Sequence, residues 1–166
     1  RAVAEGTARQ ELSRFLAPEA VERITHGREE VAVGQGEVCQ ATIVNIDIRG
    51  FTKLSETLEP DILLGFLAEY QARMLEVIQR HGGSVDKYLG DGIMVTFGTT
   101  PGRETTYAAD ALRAIEDGLV AADEWNRARA ARGERPFQVG FAAATGPIVN
   151  GVVGGAGRLE YTVIGE

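Results

Sequence analysis

The chain has 166 residues, 44% of them hydrophobic, and a formal net charge of −7. That is enough for one sizeable core, and the acidic balance, without any block of lysines or arginines, excludes a surface built to bind nucleic-acid backbone. The single cysteine, Cys39, excludes an internal disulfide and a CxxC metal site. It reads as a small core residue in a reducing, cytoplasmic setting. No apolar run approaches the ~20 residues of a membrane span, and the start Arg1-Ala2-Val3-Ala4-Glu5 lacks a signal-peptide core. No membrane contact is therefore expected of this segment, which leaves tethering through a larger parent open.

Residues 1–35 are polar, with a small apolar stripe at Leu12, Phe15, Leu16, Val21 and Ile24 interrupted by Pro18. They read as a helical connector outside the main core, leading to an upstream sensor or regulatory domain. From Glu37 the pattern changes, and Ala41 to Ile46 form a near-continuous apolar run, a central strand ending at Asp47. Pro60 opens a helix in which Leu63, Phe66, Leu67, Tyr70, Met74, Val77 and Ile78 repeat at helical spacing, and Gly82-Gly83 closes it. Runs at 84–88 and 93–97 flank Leu89-Gly90-Asp91-Gly92, a hairpin signal with Asp91 at its tip.

A second helix is expected over about 104–132, with Ala108, Ala111, Leu112, Ile115, Leu119 and Ala122 on one face and Gly133 at its end. Strands follow at 137–144 and 147–153 around Thr145-Gly146, then one more at 158–164. The order β-α-β-β-α-β plus an additional hairpin predicts an α+β, ferredoxin-like, palm-type sheet with helices on one face. In that fold the end of the first strand lies beside the middle hairpin, which makes Asp47 and Asp91 plausible neighbours.

Two aspartates converging on open space suit Mg²⁺, a hard cation that takes one or two carboxylates together with substrate phosphates. Taken singly, Asp91 reads as a turn residue and Asp47 as a cap after a strand. Together they carry more weight, because a charge at the end of a buried strand is costly unless a cation compensates it. Ile48, Arg49, Gly50, Phe51 and Thr52 offer successive main-chain N–H groups, a nest for phosphate oxygens. Lys87 and Thr162 read on their own as ordinary strand residues, and His26 and His81 as surface or loop residues outside any ligand-like cluster.

Four stretches in order and spacing carry a resemblance: Asp47-Ile48-Arg49-Gly50-Phe51-Thr52; Lys87-Tyr88-Leu89-Gly90-Asp91-Gly92; Thr145-Gly146 with Gly151; and Leu159-Glu160-Tyr161-Thr162-Val163-Ile164-Gly165. Over residues 36–166 the chain resembles the class III adenylate/guanylate cyclase catalytic domain. The resemblance implies a homodimer with active sites at the interface, two Mg²⁺ or Mn²⁺ ions, and conversion of a nucleoside triphosphate to its 3′,5′-cyclic monophosphate and pyrophosphate. It implies Asp47 and Asp91 as metal ligands, Ile48 as the donor of a carbonyl to one ion, and Lys87 with Thr162 as readers of the base from the other subunit. An ammonium and a hydroxyl can hydrogen-bond the adenine edge, where N1 accepts and the 6-amino group donates. In guanylate cyclases the lysine's position usually holds Glu, so Lys87 favours ATP.

Threonine at 162 is similar to a bacterial subgroup in which bicarbonate stimulation is often found. The family normally continues past Gly165 with an asparagine and an arginine that orient the ribose and stabilise the transition state. Losing such a donor typically costs ~10²–10³ in rate, so the chain as given is expected to be nearly inactive. A guanylate cyclase and a nucleotide-binding regulatory or dimerisation domain without turnover are the alternatives. A diguanylate cyclase is disfavoured because the hairpin lacks a Gly-Gly-acidic-acidic-Phe turn.

Overall fold

The computed structural model describes residues 36–155 and 158–165, so the helical connector expected over residues 1–35 lies outside the described residues. Strand β1 (Gly36–Ile48) is followed by helices α1 (Phe51–Ser55) and α2 (Pro60–Arg80), then strands β2 (Ser84–Leu89) and β3 (Gly92–Phe97). Helix α3 (Tyr107–Ala131) precedes strands β4 (Val139–Gly155) and β5 (Arg158–Ile164). The sheet order is β2-β3-β1-β4-β5, with every neighbouring pair antiparallel. The crossover from β1 through α2 to β2 leaves room for β3 between them, which is the split β-α-β arrangement expected.

The pleat sorts β1 into two faces. Val44, Ile46 and Ile48 are each no more than 3% exposed and meet Phe66, Tyr70 and Met74 of α2 and Trp125 of α3, whereas Asn45 between them is exposed. On the opposite face a smaller cluster of Ala41, Ile148 and Val163 forms, with Cys39 half-buried against it. Pro60 stands at the start of α2, where its fixed φ costs nothing. The helix stops where Gly82 adopts φ 74° and the Gly83 N–H returns to the Ile78 carbonyl at 2.9 Å.

Helix α3 presents a different face from the one expected. Leu112 and Leu119 are 62% and 52% exposed and Ala108 is exposed, while Ala111, Ala114, Gly118, Ala122 and Trp125 are buried. Close approach of helix to sheet decides this. A methyl group at Gly118 would stand only 2.7 Å from the Phe141 ring, so small residues face the sheet and the leucines do not fit. Two charged residues sit on the buried face as well. Asp110 accepts from Thr106 Oγ1 at 2.6 Å and from Arg103 at 3.1 Å. The Arg129 guanidinium lies 4.9, 5.0 and 5.3 Å from the ring centres of Phe137, Phe66 and Trp125 and pairs with Glu134 at 2.8 Å.

The break expected at Thr145-Gly146 does not exist. β4 runs straight through it because β1 is long enough to pair with it throughout, Ala41 opposite Gly146 and Gln40 opposite Pro147. Thr42 Oγ1 and Thr145 Oγ1 are 2.8 Å apart across that pairing. The additional hairpin is the antiparallel pairing of the second half of β4 with β5. His81, expected at a surface or loop position, stands in the turn just after α2 and places Nε2 2.7 Å from Asp117 Oδ2 of α3. Among the described residues no helix is long and apolar enough to cross a membrane.

Candidate active site

β1 delivers Asp47 one residue before its end, on the face away from the helices. Directly afterwards Gly50 turns the chain with φ 75°, a left-handed conformation that favours glycine, and α1 begins. Asp91 reaches the same place from the hairpin. Leu89 pairs with Gly92 across a two-residue turn in which Gly90 takes φ 64°, as a Gly-first tight turn requires. The ladder between β1 and β3 runs out at Ile46 opposite Ile93. Beyond it, the Ile48 N–H donates to Asp91 Oδ2 at 2.8 Å. The Asp91 carboxylate thus continues the ladder by one side-chain bond and stands against the residue that follows Asp47.

Asp47 Oδ1 is buried and has no hydrogen-bond partner among the described residues, while the Arg49 Nη1 cation lies 3.6 Å away. A buried, unbonded carboxylate oxygen is costly unless a cation approaches it. Among the described residues no group of three or more His, Cys, Asp or Glu side chains converges. Two carboxylates carried by a strand and the neighbouring hairpin suit a cation that keeps places for water and phosphate better than one caged by protein.

Tyr70 lies in the core beneath the site, as its periodicity reads it. It is fully buried, its hydroxyl has no hydrogen-bond partner among the described residues, and its ionisation is pushed far up, first by burial and then by the charges of Asp91 and Asp47. The available signal was a tyrosine among the aliphatic and phenylalanine residues of the α2 stripe. The expected phosphate nest is narrower than its sequence. The Ile48 N–H goes to Asp91 and the Arg49 N–H to the Gln138 carbonyl at 2.9 Å. That leaves Gly50, Phe51 and Thr52, whose amides open α1 and have no earlier helical carbonyl to bond.

Lys87 and Thr162 come together at the far rim. Nζ donates to Thr162 Oγ1 at 2.8 Å and lies 3.3 Å from Asp86 Oδ2. β2 and β5 are the outermost strands, so this bond requires the sheet to curl until its margins meet. Lys87 pairs with Met94, and Met94 with Asn45, which places the ammonium on the face of Asp47 but two strands away, roughly 10 Å across the sheet. The same face carries a groove of about 310 Å³ lined by residues including Asn45, Met94, Ala142, Ala144 and Gly165.

Comparison with known proteins gives this geometry a family. The model of the adenylate and guanylate cyclase catalytic domain matches residues 33–166. An adenylate cyclase of Anabaena cylindrica is 35% identical over 140 residues, covering 84% of this chain and 28% of that protein. The chain therefore spans little more than a quarter of that relative's length. The crystal structure of the guanylyl cyclase Cya2 is 35% identical with a TM-score of 0.72, covering 78% of this chain and 66% of that one. The adenylyl cyclase CyaB of P. aeruginosa is 31% identical with a TM-score of 0.64, covering 79% and 68%.

Proposed function

This chain belongs to the adenylate and guanylate cyclase catalytic domain family, and from that premise we propose that it serves an adenylate cyclase converting ATP to 3′,5′-cyclic AMP and pyrophosphate. The observation that carries the reading is the Asp91 carboxylate fastened to Ile48, the neighbour of Asp47 with its unbonded oxygen. In the reaction the ribose 3′-hydroxyl loses its proton and its oxygen bonds the α-phosphorus, while the α–β phosphoanhydride bond breaks and pyrophosphate leaves. Two Mg²⁺ or Mn²⁺ ions, when bound, would supply alkoxide stabilisation and neutralisation of the triphosphate.

The residues present set the stage for that chemistry. Asp47, Asp91 and the Ile48 carbonyl would hold the ions, and the amides of Gly50, Phe51 and Thr52 suit phosphate oxygens. Arg49, whose own N–H is taken by Gln138, contributes a guanidinium beside Asp47. Lys87 and Thr162 offer adenine a donor and a hydroxyl. The family resemblance supports a homodimer in which one copy holds the phosphates and the other, through Lys87 and Thr162, reads the base.

Overall similarity does not choose the base, since one relative at 35% identity is an adenylate cyclase and one structure at 35% is a guanylyl cyclase. Lys87 supports the ATP reading. The test is cyclic-nucleotide production by the protein carrying this domain, at its natural length, from ATP and from GTP with Mn²⁺. Cyclic AMP that disappears in Asp47→Ala supports the proposal; undiminished product from that variant refutes it. A preference for GTP would favour the guanylyl reading. Nucleotide binding without product would favour a regulatory domain.

A further inference from the structure

Asp86 lies outside all the roles given so far, yet the strand is built around it. Val85 points into the core opposite Val95, so strict alternation would turn Asp86 outward and drive Lys87 inward beside Ile93. The register instead shifts between Val85 and Lys87. Asp86 is the extra residue of a bulge, and Lys87 falls opposite Met94 on the outer face. Bulges re-aim side chains in this way.

The Asp86 side chain is only 4% exposed, and its Oδ2 lies 3.3 Å from Lys87 Nζ. A carboxylate withdrawn this far from water is stable only beside a cation or hydrogen-bond donors, so the bulge places its own counter-charge under the ammonium. Nζ is then held between the charge of Asp86 Oδ2 on its own strand and the acceptor Thr162 Oγ1 at 2.8 Å on β5. A lysine stem ordinarily samples many rotamers, and fixing it in advance spares that entropy when a ligand binds.

We infer that Asp86 is a positioning residue for base selection: through the bulge and the ion pair it aims the Lys87 ammonium, and with it the domain's preference for adenine over guanine nucleotides. The inference rests on the ATP reading above and assigns Asp86 no contact with the nucleotide.

The experiment measures kcat and KM for ATP and GTP with Mn²⁺ in the full-length protein, in Asp86→Ala and in the more conservative Asp86→Asn and Asp86→Glu. Removing the charge should raise KM for ATP about tenfold with kcat within about twofold, and lower the ATP-to-GTP ratio of kcat/KM about tenfold. Asp86→Glu should recover part of the loss. A loss shared equally by both nucleotides, or an unchanged ratio, overturns the proposal.

Crystal structures of Asp86→Asn and Asp86→Ala supply a readout independent of turnover. Lys87 Nζ should leave Thr162 Oγ1, and a retained 2.8 Å contact overturns the proposal. If Asp86→Ala fails to fold, Asp86→Asn decides alone. If the unaltered protein makes no cyclic AMP, the ATP reading falls, while the Lys87–Thr162 distance still decides whether Asp86 aims the ammonium.

Discussion

The Asp91 carboxylate and the main-chain nitrogen of Ile48 are 2.8 Å apart, so a side chain proposed to grip a cation is also the fastener between the hairpin tip and the end of the central strand. Asp47 has no such second duty, because its Oδ1 bonds nothing among the described residues.

This difference separates two substitutions that a simple ligand picture treats alike. In EDTA, Asp91→Ala should lose about 1.5–3 kcal/mol, the usual worth of a hydrogen bond to a charged group. Asp47→Ala should stay within about 0.5 kcal/mol of the unaltered protein. Both should lose cyclic AMP production by at least about 10²-fold. Thermal melts in EDTA beside a product assay check this, and coincident melting curves would count against the double role.

Reversing the charge at the base-reading rim should reverse the preference. Lys87→Glu replaces a donor by an acceptor suited to the N–H groups of guanine, so kcat/KM for ATP should fall about 10–100-fold while that for GTP rises. The same Mn²⁺ assay with both nucleotides measures it. The melting temperature should also drop slightly, because the introduced carboxylate would face the buried one of Asp86.

Asp110 makes acid stability a second observable. The Thr106 hydroxyl chiefly, and the Arg103 guanidinium with it, hold its carboxyl below the usual carboxylate range although burial opposes them. A folded-state pKa below the unfolded one contributes stability that is fully present above the unfolded value, near 3.8, and lost as pH falls through the folded value. Asp110→Asn should therefore be less stable than the unaltered protein at neutral pH. The gap should narrow below pH 4, as urea titrations at pH 7 and pH 3 would record.

Gly83→Ala pits two effects of known size against each other. Restricting the unfolded chain stabilises by about 0.4–1 kcal/mol. The added methyl, however, would stand 2.6 Å from the Phe97 ring and 2.9 Å from Ile78. Phe97 is 1% exposed and has nowhere to go. Overpacking at about 1–3 kcal/mol should win, giving a net loss in the denaturation midpoint.

Local punctuation in this chain is legible without a structure. Pro60 and Gly82-Gly83 bracket α2 because a fixed φ and a left-handed φ act within a residue or two. Gly90-Asp91 is readable for the same reason. What depends on a partner strand is not. Thr145-Gly146-Pro147 looks like a turn until a β1 of 13 residues is laid beside it. Leu112 and Leu119 look like core until the closeness of α3 to the sheet favours alanine and glycine. The positions of Asp47, Asp91, Lys87 and Thr162 are marked by motif, and Tyr70 by a lone hydroxyl in a helix stripe. Asp86 carries no local signal and shows itself only through a shift of register.

The hydrogen bond from Lys87 to Thr162 joins strands that a flat five-stranded sheet would hold about 19 Å apart. On the base-reading role proposed above, bending of the sheet and fidelity for the base become one mechanical variable. A change that straightened the sheet would part ammonium from hydroxyl and blur the choice of nucleotide.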